Sequence, residues 1–277
     1  MLIYKSGSTG EVVELSGKRI KAHLRVSDLY DYDWEVEAKK LQLGTKINSF
    51  GKKPAEHDLV IDFIGNKAER QGAANHLFEV TERDIIKKKA GKLYLDDYYK
   101  ECYLISAKNK GIQKRNNVVQ MEMGVYAANP FWIKEKSLSY PIFSGDGGND
   151  FLEYPYDYAY DYTSQQKGLS TLDNDHYADA NFKMTIYGPV VNPVINIGGY
   201  PYEVNTTVEA NEYLVIDSTK NAVTRTLTDG TIVNEYNNRS FENSVFRPIP
   251  PGNHSVLWSG DFGWDIVLYQ KRSEPKW

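Results

Sequence analysis

Four side chains past the middle of the chain, Asp173, Asp175, His176 and Asp179, have the types and closeness of a cation site. A calcium loop of the EF-hand kind begun at Asp173 needs glycine at its sixth position and glutamate at its twelfth. Those positions hold Ala178 and Met184, so the pattern fails and a solvated acidic turn is expected. Gly147-Gly148-Asn149-Asp150-Phe151-Leu152 echoes the calcium-binding turn of parallel β-rolls, whose cations sit between stacked copies; here there is one copy. His23, His57, His76, His176 and His254 are scattered and form no His-Glu-x-x-His pair, and the single cysteine, Cys102, cannot build a structural zinc site. Cys102 falls in an expected strand and reads as a small core residue. The sequence has no Gly-x-Ser-x-Gly elbow, Walker loop or Gly-x-Gly-x-x-Gly turn. Glu203, Glu209, Glu212, Asp217 and Asp265 could supply the facing carboxylates of a glycosidase, but spacing pairs none of them. Asp217 ends a strand, where a carboxylate commonly binds turn amides. The expectation is a chain that is no enzyme, with no catalytic, cofactor-binding or metal-binding residues and no cofactor.

Aromatic residues offer binding instead of catalysis. Tyrosine is abundant, with 21 copies, which fits either strand propensity or an interface. Trp258, Trp264, Tyr200 and Tyr202 could stack on sugar rings. Tyr154, Tyr156, Tyr158, Tyr160 and Tyr162 alternate, so an extended segment would place all five on one face, as a packed face or as a ligand platform. The formal charge of −4 gives no basic footprint, so no nucleic-acid partner is expected. No stretch of 18 apolar residues occurs, and Lys5 to Thr9 interrupts any apolar segment after Met1, so neither a membrane span nor a secretory signal is expected.

The elements that would position these residues are mostly strands. Phe182, Met184 and Ile186 alternate with polar neighbours until Gly188-Pro189. Val194 to Ile197 and the alternation Tyr202, Val204, Thr206, Val208 follow, then Leu214-Val215-Ile216. Asp229-Gly230 is a hairpin dipeptide between Val223 to Leu227 and Thr231 to Val233. Val256 to Trp258 and Ile266 to Tyr269 complete a set that suits a β-sandwich. In the first half, Trp34-Glu35-Val36 is a strand candidate, Gly44 to Pro54 reads as a polar loop, and Leu59 to Ile64 reads as a buried strand. Residues 66–91 read as helical in part; Thr81-Glu82-Arg83-Asp84 has an N-cap pattern, Lys87-Lys88-Lys89 suits a last turn and Gly91 a stop. Lys92 to Leu95 and Cys102 to Ile105 flank the turn-like Asp96-Asp97, and Val118 to Tyr126 alternates as another strand. The fold class expected is mainly β: an α+β domain with one helix over 1–135, then a β-sandwich over 136–277, with 144–178 a junction loop of open role.

Order and spacing carry a resemblance. The chain runs from Ala180 to Ile197 through Gly188-Pro189 and Asn192-Pro193, then through Ile216-Asp217-Ser218, then from Phe246 to Trp258 through Pro250-Pro251-Gly252-Asn253. This resembles the C-terminal domain of siphophage distal tail proteins. The first half has that family's order too: Gly91-Lys92-Leu93, Cys102-Tyr103-Leu104, a long strand to Tyr126, then Asn129-Pro130-Phe131-Trp132. The resemblance implies a jelly-roll, galectin-like C-terminal sandwich and an N-terminal domain that closes a homo-hexameric ring. It implies a virion structural protein of the tail tip or baseplate, from phage or prophage, present in host cytoplasm during assembly. The implied partners are further copies of the chain, the tail-tube protein, the tail-associated tip protein, and receptor-binding proteins or cell-surface glycan in host attachment. Lys46 to Asp58 is the candidate for the family's arm onto a neighbouring subunit, or an ordinary surface loop. The alternative function is a carbohydrate-binding β-sandwich module.

Overall fold

The protein is described by a computed structural model covering residues 1–113, 117–142 and 169–275. Apolar alternation of period two recurs through them, and these residues are accordingly antiparallel β-structure with one long helix. It divides into two units. One holds Met1–Lys134 and the described residues from Lys271 on; the other holds Glu135–Gln270. The closing residues thus group with the first unit, not with the second as read from sequence.

The first unit contains, in chain order, β1 (Leu2–Lys5), β2 (Val12–Glu14), β3 (Ile20–Ala22), β4 (Glu35–Lys40), β5 (Thr45–Gly51), β6 (Ala55–Ile64), α1 (Lys67–Ile86), β7 (Gly91–Leu95), β8 (Tyr98–Gln113) and β9 (Val118–Ala127). The long β8 organises it. Its first residues pair with β7, which leads on to β1 and β2; its later residues pair with β9, which leads on to β6 and β3. Asp96, at φ 51°, makes the tight turn between β7 and β8. Leu59, Ile61 and Phe63 of β6 are buried, whereas Glu56 and Asp58 are exposed. The apolar run is therefore a half-buried strand paired on both edges.

The helix lies within the stretch 66–91 read as helical, but its cap is Asn66, not Thr81. Asn66 caps it, accepting from the Glu69 amide at 3.0 Å while Glu69 accepts from the Asn66 amide at 2.9 Å. Such a reciprocal cap contributes about 1 kcal/mol. Thr81 lies inside the helix, buried, donating to the Phe78 carbonyl. Lys88, at φ 53°, takes the left-handed position beyond the helix end. Gly91 belongs to β7, where an added Cβ would stand 2.2 Å from the Tyr4 hydroxyl.

Asp84, fully buried on α1, fastens the first loop. Its carboxylate accepts from Tyr4 Oη at 2.8 Å, Ser6 Oγ at 2.6 Å, the Ser8 amide at 2.9 Å and the Gly7 amide at 3.2 Å. Burial pushes its pKa up, but the hydrogen bonds from Ser6, Ser8 and Tyr4 outweigh this and hold it below the usual range.

The second unit holds the rest of β10 (Trp132–Tyr140), then β11 (Leu169–Asn174), β12 (Asn181–Tyr187), β13 (Val190–Val191), β14 (Val194–Ile197), β15 (Tyr200–Glu203), β16 (Thr207–Val208), β17 (Tyr213–Asp217), β18 (Ala222–Thr226), β19 (Ile232–Asn234), β20 (Gly252–Leu257) and most of β21 (Trp264–Arg272). One sheet runs β19-β18-β17-β12-β21, with β10 beside β21; the other runs β11-β20-β14-β15. Phe182, Met184, Ile186, Leu214, Ile216, Ile266 and Leu268 of the first sheet pack with Leu172, Ile195, Tyr202 and Val256 of the second. This is a sandwich core. Asp229-Gly230 turns between β18 and β19, with Gly230 at φ 83°. Residues 169–174 of the expected junction loop are the strand β11, paired along its length with β20. The tyrosine alternation Tyr154 to Tyr162 and the turn Gly147 to Leu152 lie outside the described residues.

Candidate interaction surfaces

The feature of the first unit that its own core does not explain is the hairpin of β4 and β5. Among the described residues its strands pair only with each other, and every residue of both is exposed. Directly opposed residues share a face. The register sets Val36 against Phe50 and Ala38 against Ile47, while Glu37 faces Ser49 and Lys39 faces Lys46. A bulge at Glu37/Ala38 keeps Ile47 and Phe50 on one side although three positions separate them. One face is therefore apolar and the other polar. Val36, Ile47 and Phe50 are each more than half exposed, and Leu43 in the connecting loop is 96 % exposed. A lone two-stranded hairpin is marginal in water, so an uncovered apolar face signals a partner. The candidate arm, Lys46 to Asp58, does not form one loop. Residues 46–51 belong to β5, and 55–58 open β6.

At the root of this hairpin lies a cleft of about 980 Å³ lined by Asp28, Asp31, Asp33, Glu35, Glu56 and Glu274, with Lys52, Lys53 and His57. Lys52 Nζ sits 4.6, 4.8 and 5.1 Å from the ring centroids of Tyr32, Trp34 and Phe131. Below, Lys100 of β8 is 1 % exposed; its Nζ donates to His57 Nε2 at 2.9 Å and lies 4.9 Å from the Trp132 ring centroid. Burial pushes the Lys100 pKa down from 10.5 to about 8. Burial and the Lys100 charge also lower that of His57, so its ring accepts as the neutral form.

This buried amine costs stability, and the sign is definite. The unfolded lysine binds its proton up to about pH 10.5 and the folded one only to about 8. The penalty is full below pH 8 and fades as pH rises from 8 to 10.5. Lys100→Met should raise stability at neutral pH by about 1–2 kcal/mol, after the lost bond to His57, and should flatten the alkaline rise. Denaturant midpoints between pH 7 and 10.5 check this.

The second unit disperses the residues that sequence singled out. Trp264 and Tyr202 are 1 % and 2 % exposed, and Trp258 is buried with them, so none of these three can stack on a sugar. Tyr200 is half-buried beneath Arg247, whose guanidinium is 4.4 Å from its ring centroid. The carboxylates are engaged separately. Glu212 and Glu235 bind Arg225, each at 2.9 Å; Asp265 accepts from Tyr187 Oη at 2.7 Å; Asp217 accepts from the amides of Thr219 and Lys220. Between Asp173 and Asp175 stands the Lys136 ammonium, at 3.3 and 3.0 Å, where a cation site was considered. Gln270 and Lys136 together hold the Asp175 carboxyl down at about 2. His23 pairs with Asp62, His76 with Glu11, and His254 with the Pro250 carbonyl, in different places. Cys102 is fully buried and its thiol is pushed up to about 12 by burial.

No protein-family model and no curated protein matches this sequence. Solved structures match along its whole length. The fold is shared with the Dit protein (gp 19.1) of phage SPP1, described as a paradigm of the hub adsorption apparatus in phages infecting Gram-positive bacteria. The TM-score is 0.61 and the identity 10 %, over 98 % of this chain and 99 % of that one. It is shared with a chain of the phage P2 baseplate in its activated conformation with Ca, with TM-score 0.62 and 14 % identity, over 99 % and 100 % of the two chains. The same baseplate with Sr gives TM-score 0.61 and 13 % identity over the same shares.

Proposed function

We propose that this chain is a distal tail protein, the ring-forming hub at the tip of a siphophage-type tail. The likeness to a hub protein and a baseplate chain over essentially the full length of both partners carries the reading. The uncovered hairpin supports it, because a scaffold needs an apolar surface that its own fold leaves free. In this role copies of the chain close a homo-hexameric ring through heterologous contacts, the arm of each reaching the next. One face of the ring meets the tail-tube protein and the other the tail-associated tip protein. The sandwich of the second unit carries receptor-binding parts outward. The chain acts as scaffold without catalysis, in the virion after assembly in host cytoplasm. Burial of Trp258, Trp264 and Tyr202 takes away three of the four aromatics that favoured a sugar-binding reading. Assembly of the purified chain tests the proposal. Closed rings support it; a chain that stays single at every concentration, with or without tail-tube protein, opposes it.

A further inference from the structure

We propose that Lys52 is a positioning residue: the pin that sets the direction of the hairpin arm by filling an aromatic cage at its root. Tyr32 and Trp34 stand just before β4, Lys52 follows β5, and Phe131 comes from the body of the unit, just before β10. The ammonium lies within 5.1 Å of all three ring centroids, inside the reach of a cation–π contact. Trp34 and Phe131 also meet edge to face at 6.3 Å, and Lys52 Nζ donates to Ser273 Oγ at 2.8 Å. One side chain thus ties both roots of the arm to two other segments of the same unit.

The arm's strands are exposed along their length and, among the described residues, pair only with each other. The Lys53–Glu35 ion pair joins one root to the other, and both partners are largely exposed, so it cannot aim the arm against the body. Asp33 lies close enough to favour the Lys52 charge, opposing the burial that disfavours it. An arm fixed at its root reaches a partner already oriented and loses less freedom on docking. That consequence rests on the hub reading; the arm's direction is a property of the single chain.

Spin labels at Leu43→Cys, in the exposed loop, and Glu79→Cys, on the exposed side of α1, measure the direction. Cys102 is fully buried and stays unlabelled. Labelled protein is diluted into an excess of unlabelled protein. The parent should give one narrow distance distribution. Lys52→Met should broaden it, Lys52→Arg should restore it, and Phe131→Leu should broaden it as Lys52→Met does. Combining Lys52→Met with Phe131→Leu should broaden it by less than the two single effects added, since the Lys52–Phe131 contact is lost in both. Circular dichroism confirms that each variant folds. Association should weaken roughly tenfold in Lys52→Met through lost pre-organisation. A distribution that stays narrow in Lys52→Met overturns the proposal, even if assembly weakens. Broadening in a chain whose parent never assembles upholds the pin and counts against the hub.

Discussion

Replacing Ile47 and Phe50 together by aspartate is expected to leave a folded chain that no longer assembles. Both side chains are more than half exposed on the apolar face of the arm, so the isolated chain loses little when they become charged. In the proposed ring the same face would be covered. Covering a phenylalanine or isoleucine contributes roughly 1.5–3 kcal/mol each, and a carboxylate in its place must also be stripped of water. A combined penalty of about 5 kcal/mol per contact lowers each association constant by more than a thousandfold. Because a ring closes only when every contact forms, the loss should look all-or-none. Sedimentation of the double variant beside the parent checks this, with unchanged circular dichroism as the control. Aspartates that leave assembly intact would remove the arm from the interface.

The second large effect lies within one chain. Asp84→Ala should destabilise the first unit by roughly 3–5 kcal/mol, since it strands two hydroxyls and two amides that meet one buried carboxylate. Asp84→Asn keeps the volume but turns an amide N–H towards donors, and should cost roughly 2–3 kcal/mol. The pH dependence has a definite sign. The folded carboxyl titrates below its ordinary 3.8, so its contribution is complete above that value and is lost as pH falls through the lowered one. The parent should therefore lose stability below about pH 4 more steeply than Asp84→Asn. Denaturant titrations at pH 7 and in steps below 4 test both points. A variant within 1 kcal/mol of the parent at pH 7 would show that the loop holds without this carboxylate.

What sequence revealed and concealed follows from the period of each signal. Phe182, Met184 and Ile186 alternate without a break, and their strand lies as read, its apolar side in the core. The same parity could have placed the aromatics. Trp264 shares its side with Ile266 and Leu268, and Trp258 with Val256, so these rings had to face inward. Reading them as sugar platforms ignored that parity. The arm was hidden by its bulge, which separates Ile47 from Phe50 by three positions and breaks the alternation that marks a strand. The helical stretch from 66 was read only in part, and its cap was missed, because Lys67, Glu69, Arg70, Gln71 and Glu79 leave only a narrow apolar stripe, at Ala74, Leu77 and Val80. The Asn66–Glu69 box was present in the sequence. Thr81 and Asp84 imitated it, although Asp84 serves the loop at Tyr4 to Ser8. Contacts that join Lys52 to Phe131 and Ser273 are beyond any local pattern, since they bring together segments far apart in the chain.

The most direct measurement is light scattering of the purified parent on a sizing column, followed by negative-stain imaging of the peak. Six copies of the 31.6 kDa chain give about 190 kDa, and the images should show a sixfold ring with an open centre, single or stacked in pairs. A 31.6 kDa species that persists at high concentration and in the presence of tail-tube protein would contradict the hub.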